Sequence, residues 1–482
     1  MKPFLTKYQN LPIQLKASFW FLICSFFQKG ISMLTTPIFT RLLTTSEYGQ
    51  YNVFNSWLGV ITIIISLNLS SSVYMQGLIK FDKDRVNFSS AMNSLTTLLV
   101  FCWAIIYFLF HNFWNQLFHL STLQMFAMLI MIWTTSIFNF WANNQRVDYA
   151  YRSLVLITVI VSIAKPLLGI LFVIYANDKV TARILGLMLV ELLFYSPIYF
   201  IQLKKNRNTF SKTYWKYAIL FSLPLVSHYL SQIVLESADR IMISNIIGDS
   251  QAGIYSLAYA LSSIMLLFNY ALTQTTSPWI YKKIRDNKIK EISSISYLSL
   301  IIIAIANLLL ILFAPEAVAL FAPQTYSEAI WVIPPIAMSV YFMYSYDLFS
   351  KFAFYFEKTK LIMFASVAVA LINIILNFIF INLFGYMAAG YTTLFCYILY
   401  SIIHYCLMHS VCKKNCHGIQ PYSIKKLCLI TIPFLISGFT LLSTYNYPLI
   451  RYGLIIIIII GGIVKKEKLI IIAKRIINLK NN

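Results

Sequence analysis

An all-α integral membrane protein of about fourteen transmembrane helices is predicted by three observations on this sequence. Of its 482 residues, 59% are hydrophobic. These residues gather into about fourteen apolar runs of roughly 16 to 25 residues, each long enough to cross a bilayer as a helix. The net charge of +22 is confined to one set of the connections between those runs.

In order along the chain, the first span is placed at 17–40. It is too long, and continues too far into polar helix without a small-residue cleavage site, to be a removable signal peptide, so it is expected to be retained. Spans at 50–74, 88–110, 122–142, 153–175 and 182–202 complete a first group of six. The basic stretch 204–216, with five Lys or Arg and no acidic residue, separates them from spans at 217–247, 253–279, 293–314, 328–350, 361–383 and 388–410. Two more follow at 427–445 and 449–464. The expected organisation is a first lobe over 1–203, an inter-lobe loop over 204–216, a second lobe over 217–411, and helices thirteen and fourteen within 412–464. The tail 465–482, KKEKLIIIAKRIINLKNN, reads as a basic amphipathic helix on the inner membrane surface.

The charge sets the orientation. Of the 38 Lys and Arg, 31 fall in the N-terminus, alternate loops and C-terminus, while the other loops hold only Arg41, Lys179, Arg183 and Arg451. Basic loops stay in the cytoplasm, so an even number of spans places both termini inside. The basic character is thereby a topology signal, and it lends no support to nucleic-acid binding. The opposite connections are short and carry no cluster of paired carboxylates, which argues against an enzyme acting on that face. Cys24, Cys102, Cys396 and Cys406 lie in spans and Cys412, Cys416 and Cys428 on the reducing side, so no disulfide framework is expected. His409, Cys412, Cys416 and His417 cluster, but the C-x3-C spacing is unusual for zinc and the string straddles a helix end. No metal and no cofactor are expected.

Charged and polar residues within spans point to a wet interior, since a charge facing lipid costs several kcal/mol. His228, Gln232, Glu236 and Arg240 recur every four residues in the seventh span and share one helical face, with Asp239 beside it. Ser25, Lys29, Ser32, Thr36 and Thr40 form a milder stripe in the first span. Lys165 precedes Pro166 in the fifth span, where proline frees a backbone carbonyl, and Glu191 lies in the sixth. Lys29, Lys165, Arg240, His228 and Gln232 are therefore the candidates for a substrate cavity, and Glu236, Asp239 and Glu191 for ion coupling. Three cations would attract an anion, and acidic neighbours would keep it from being held too tightly. A weak internal echo links TRLLTTSEYGQY and DRIMISNIIGDSQAGIY, each running from an Arg to Gly-x-Tyr at the start of a helix. Parallel six-helix repeats of this kind are a transporter architecture.

Two stretches carry a resemblance. PIFTRLLTTSEYGQYNVF, residues 37–54, resembles the opening signature of bacterial polysaccharide-unit flippases, the O-antigen translocases of the multidrug/oligosaccharidyl-lipid/polysaccharide (MOP) exporter superfamily. ADRIMISNIIGDSQAGIYSLAYAL, residues 238–261, is similar to the helix 7 to 8 region of that family. The resemblance implies two MATE-like six-helix lobes plus a C-terminal helix pair in the bacterial inner membrane. It implies a flippase that carries undecaprenyl-diphosphate-linked oligosaccharide units from the cytoplasmic to the periplasmic leaflet by alternating access, coupled to a cation gradient. An O-antigen polymerase and a chain-length regulator are the implied partners beside the lipid-linked glycan and the bilayer. Arg41, Glu47, Gly49, Tyr51, Gly253 and Tyr255 match the signature, and are expected to fold or gate the protein, with Gly49 in a tight turn and Glu47 capping the second helix. A lipid II flippase and a multidrug exporter are the alternatives on the same fold. An O-antigen polymerase would need a large periplasmic loop, which is lacking here.

Overall fold

The computed structural model describes residues 12–205 and 210–464, and the amphipathic reading of 465–482 lies outside them. The described residues form helices joined by short connections, with no strand among them. Among the described residues, twelve helical stretches are long and apolar enough to cross a membrane. Of the two other expected spans, 449–464 is the shorter helix Pro448–Val464, and 50–74 is divided between the helices Thr45–Ser66 and Ser72–Lys80. The chain divides into two compact units, Met1–Ser237 and Ala238–Asn482.

The first unit contains α1 (Ile13–Leu42), α2 (Thr45–Ser66), α3 (Ser72–Lys80), α4 (Arg85–Leu109), α5 (His111–Phe118), α6 (Thr122–Val147), α7 (Tyr151–Tyr175), α8 (Lys179–Lys205) and the first part of α9 (Lys212–Ile246). A capping box starts α2: the Glu47 amide donates to Thr44 Oγ1 at 3.2 Å and the Thr44 amide to Glu47 Oε2 at 2.7 Å. Ser121 and Gln124 start α6 in the same way. The expected span 50–74 is broken after Ser66, where Leu67 and Asn68 adopt φ of 49° and 50°. The serines next to Asn68 offer the backbone an alternative to the helix: Ser66 Oγ accepts from the Asn68 amide at 3.2 Å and Ser71 Oγ donates to the Asn68 carbonyl at 2.8 Å.

Methionines 125, 128 and 131 of α6 pack with Phe54 and Ile132 in one core cluster, and Tyr74, Phe88 and Phe140 anchor a second. The first part of α9 belongs to this unit through specific bonds. Trp215 Nε1 donates to the Ala91 carbonyl at 2.9 Å, Tyr214 bonds Asp84, and the hydroxyls of Tyr229 and Ser72 lie 2.6 Å apart. The boundary between the two compact units thus falls within α9.

The second unit holds the rest of α9 with α10 (Asp249–Ser262), α11 (Ile264–Arg285), α12 (Ile289–Leu312), α13 (Ala314–Phe321), α14 (Ala329–Tyr355), α15 (Thr359–Phe384), α16 (Ala388–Asn415), α17 (Ile424–Ser443) and α18 (Pro448–Val464). The expected span 253–279 is α10 and α11, which part at Ser263. Helix α14 is the centre of the unit, buried without interruption from Val332 to Phe342 and packed on α10, α12, α16 and α17. Tyr386, in the connection before α16, donates to Glu328 at 2.5 Å. Burial and that carboxylate hold the Tyr386 phenol well above its ordinary range. The last two helices are fastened to the same unit: Tyr445 donates to the Ile311 carbonyl at 2.7 Å, Tyr452 to Glu316 at 2.7 Å, and buried Arg451 forms an ion pair with Glu316.

Candidate functional site

A polar cavity of 250 Å³ lies within the first unit, lined by α1, α2, α7 and α8. Its geometry starts from two glycines. A Cβ on Gly186 of α8 would stand 3.0 Å from the Cα of Gly169 of α7, so the two backbones approach as closely as side chains would forbid. This crossing brings Lys165, one turn before Gly169, against Glu191. The ammonium lies 2.6 Å from Glu191 Oε1. Glu191 is 3% exposed, and its other oxygen accepts from the hydroxyls of Thr134 and Thr135, each at 3.1 Å. An ionised pair away from water requires such additional hydrogen bonds to offset its desolvation. Pro166 has no N–H to return to the Ser162 carbonyl, and both residues line the cavity.

The second cation is Arg183. Its guanidinium carbon lies 3.6 Å from the ring centre of Phe39 and 3.4 Å from that of Tyr51, so the planar group is held between two aromatic faces. Arg183 is buried, and Gln28, Ser32 and Thr35 of α1 complete the wall with polar groups. The cavity therefore brings together Lys165, ion-paired with Glu191, the stacked Arg183 and several neutral polar groups.

The sequence-predicted residues are distributed differently from expectation. Lys165 and Glu191, assigned separately to substrate and ion coupling, are partners. Lys29 is exposed and is not among the cavity residues; the cavity side of α1 runs through Gln28, Ser32, Thr35 and Phe39, rotated from the expected Ser25–Lys29–Ser32 stripe. The rotation is fixed by Phe39, which is 3% exposed and packs on Arg183 and beside Gly169. His228, Gln232, Glu236 and Arg240 follow one another on successive turns of α9, all half-buried. Arg240 lies 4.2 Å from the ring centre of Tyr259. Arg41 donates to the Pro37 carbonyl at 2.9 Å, closing the end of α1. Gly49, expected in a turn, is buried inside α2, because the reversal before it is made by Leu43 and the Thr44 cap.

A second polar cluster occupies the second unit. Asp239 is 1% exposed; its carboxylate accepts from the Tyr255 hydroxyl at 2.5 Å, the Thr393 hydroxyl at 2.7 Å and the Asn377 amide at 2.6 Å. Asn373, one turn before Asn377, and Thr392 extend it. Gly253 is buried in α10, two residues before Tyr255. The register repeats between units: Gly and Tyr are the fifth and seventh residues of α2 and again of α10. In each case the tyrosine engages a charged residue of its own unit, Arg183 for Tyr51 and Asp239 for Tyr255.

Sequence reasoning missed Arg183, Asn377 and Thr393. Arg183 stands at the very edge of the expected span 182–202 and so counts with the connection before it; the helix begins at Lys179 and puts Arg183 a full turn inside. Asn373 and Asn377, four apart in a strongly apolar helix, are a readable signal for a buried partner. Cys412 and Cys416 are buried, free thiols, and burial pushes that of Cys416 up. Among the described residues, no three His, Cys, Asp or Glu are placed to hold a metal.

Two all-helical units with charged residues in their interiors define a class of multi-pass membrane protein, and the class has solved representatives. The fold is similar to that of a multidrug resistance MATE family transporter of the MOP superfamily, solved in an inward-facing conformation, with a TM-score of 0.60 at 13% identity over 80% of this chain and 96% of the other. A MOP superfamily transporter from Pyrococcus furiosus, described as having a binding pocket of reverse polarity, matches with a TM-score of 0.57 at 14% identity, over 83% of this chain and 95% of that one. The chain belongs to the family described as polysaccharide biosynthesis protein, which matches residues 14–283. The Lsg locus protein 1 of Haemophilus influenzae is 22% identical over 380 residues, covering 74% of this chain and 89% of the relative. The resemblance read from the sequence is borne out at the level of family and fold.

Proposed function

We propose that the protein is a flippase for polyprenyl-diphosphate-linked oligosaccharide repeat units of a surface polysaccharide, such as an O-antigen, moving them from the cytoplasmic to the outer leaflet of the bacterial inner membrane. The observation that carries this reading is the cavity of the first unit, where Lys165 and Arg183 are fixed among membrane-spanning helices in a chain of a polysaccharide biosynthesis family. A diphosphate carries the negative charge that two such cations attract, and sugar hydroxyls can exchange hydrogen bonds with Gln28, Ser32 and Thr35. The polyprenyl chain stays in lipid, where it costs no desolvation. Alternating access exposes the cavity first to one side and then to the other. Asp239 is the carboxylate that takes the coupling cation, and a polymerase and a chain-length regulator receive the product. The basic connections support an orientation with both termini in the cytoplasm, and the outward direction of transport is proposed in that frame.

The gene is deleted and complemented in its host, and the lipopolysaccharide is resolved on a gel. Loss of every repeat unit, including the single-unit band, is the expected result. Survival of the single-unit band with loss of the ladder identifies a polymerisation defect, and an unchanged ladder rejects O-unit transport in favour of drug export or another glycan.

A further inference from the structure

The first unit has a larger cavity, apart from the cationic one, of 420 Å³ between α4, α6, α7 and α8. That volume lies within the roughly 300–1,000 Å³ of small-ligand sites. It opens where Arg85 begins α4, Asp148 ends α6 and Gln202 approaches the end of α8. These ends carry the basic connections, so this is the face expected to be cytoplasmic.

Its chemistry is that of a neutral polar ligand. The only charges among its lining residues are Arg85 and Asp148, which pair with each other at 3.0 Å. Asp148 Oδ1 takes that bond, and Oδ2 remains an acceptor. Two carboxamides have their oxygens occupied: Gln202 Oε1 accepts from Asn93 at 2.7 Å, and Gln145 Oε1 from Ser153 at 2.9 Å. The amide that remains on each is a donor, and both side chains line the cavity. Trp141 adds a broad, half-buried aromatic surface from α6. A flat apolar face with donors and a carboxylate at its edges fits one ligand chemistry well: a pyranose ring stacks its C–H face on the indole and shares its hydroxyls as both donors and acceptors.

We infer that this cavity is a sugar-binding subsite, taking one uncharged hexopyranose or acetamido sugar at the cytoplasmic face. The inference rests on the flippase reading only for the source of that sugar, the lipid-linked repeat unit. It separates two tasks within the first unit: Lys165 and Arg183 take the anionic portion, and the neutral cavity recognises the glycan.

The full-length protein in lipid nanodiscs is titrated with the methyl glycosides of glucose, galactose, mannose, N-acetylglucosamine and N-acetylgalactosamine, with binding read by saturation-transfer NMR. At least one glycoside is expected to bind, without displacement by inorganic pyrophosphate. Trp141→Leu and Asp148→Asn should each weaken it about ten-fold, the loss of one stacked face or one charge-assisted bond. If Trp141→Leu does not fold, Asp148→Asn and Gln145→Met decide. Absence of binding by every glycoside, unchanged affinity in the folded variants, or displacement by pyrophosphate overturns the inference. The flippase reading fails separately, through an unchanged polysaccharide ladder in the deletion strain, whatever the glycosides do.

Discussion

The guanidinium carbon of Arg183 lies 3.4 Å from the ring centre of Tyr51, with Phe39 on its other face at 3.6 Å. A cation buried among membrane-spanning helices is thereby held in place by two aromatic faces. Tyr51→Phe keeps the face and should leave surface polysaccharide near the wild-type level. Tyr51→Leu removes it and should cost about 0.5–2 kcal/mol in thermal unfolding of the purified protein, with a marked fall in polysaccharide. Arg183→Lys should behave like Tyr51→Leu, because an ammonium has no plane to stack. Wild-type polysaccharide in both Tyr51→Leu and Arg183→Lys would remove this arrangement from the site.

Lys165 and Glu191 act as a pair. Lys165→Met leaves a buried carboxylate supported by two threonines alone, and should lower stability by roughly 2–4 kcal/mol. Combining it with Glu191→Gln should recover most of that loss while polysaccharide export stays defective. A coupling energy near zero in this double-mutant cycle would show that the 2.6 Å contact contributes nothing.

The α7–α8 crossing has no room for a side chain at its closest point. Gly186→Ala places its Cβ 3.0 Å from backbone, and Gly186→Val adds two methyl groups to the same gap. The valine variant should lose about 1–3 kcal/mol and the alanine variant less, as measured by melting in detergent. Because the crossing sets the reach of Lys165, the Lys165–Glu191 coupling should shrink in the same variants.

Asp239 receives three hydrogen bonds in the second unit. Tyr255→Phe deletes one and should cost roughly 1.5–3 kcal/mol, the range for a bond to a charged group. Asp239→Asn keeps the shape of the cluster but removes its charge, and export by that variant should no longer respond to a protonophore. A response identical to that of the wild type would take Asp239 out of ion coupling, and Glu236→Gln would then be the variant to compare.

The helical membrane class was legible in the sequence because span length and hydropathy report on the bilayer, an environment common to every helix. Where helices break is set by local competition: Ser66 and Ser71 bond to the backbone around Asn68, and apolar run length does not register this. Polar residues inside spans were visible one by one, as with Lys165, Glu191 and Asp239. Their partners were not, because Lys165 meets Glu191 only through the approach of Gly169 and Gly186, and Asp239 meets Asn377 across 138 positions of sequence. The rotation of α1 was unreadable for a related reason. Two stripes share Ser32, and the packing of Phe39 chooses between them.

The matched register of α2 and α10 has a consequence in descent. One helix opens with a threonine capping box and the other with Gly248 at φ 141°, yet both put glycine fifth and tyrosine seventh. Different openings leading to the same positions are what a duplicated half-chain would leave after its copies had diverged. What differs between them is the group each tyrosine engages, a guanidinium in one unit and a carboxyl in the other. A duplication that kept the holder and exchanged the group would give a lineage a short mutational path to a new polarity, since one half could change while the other stayed as it was.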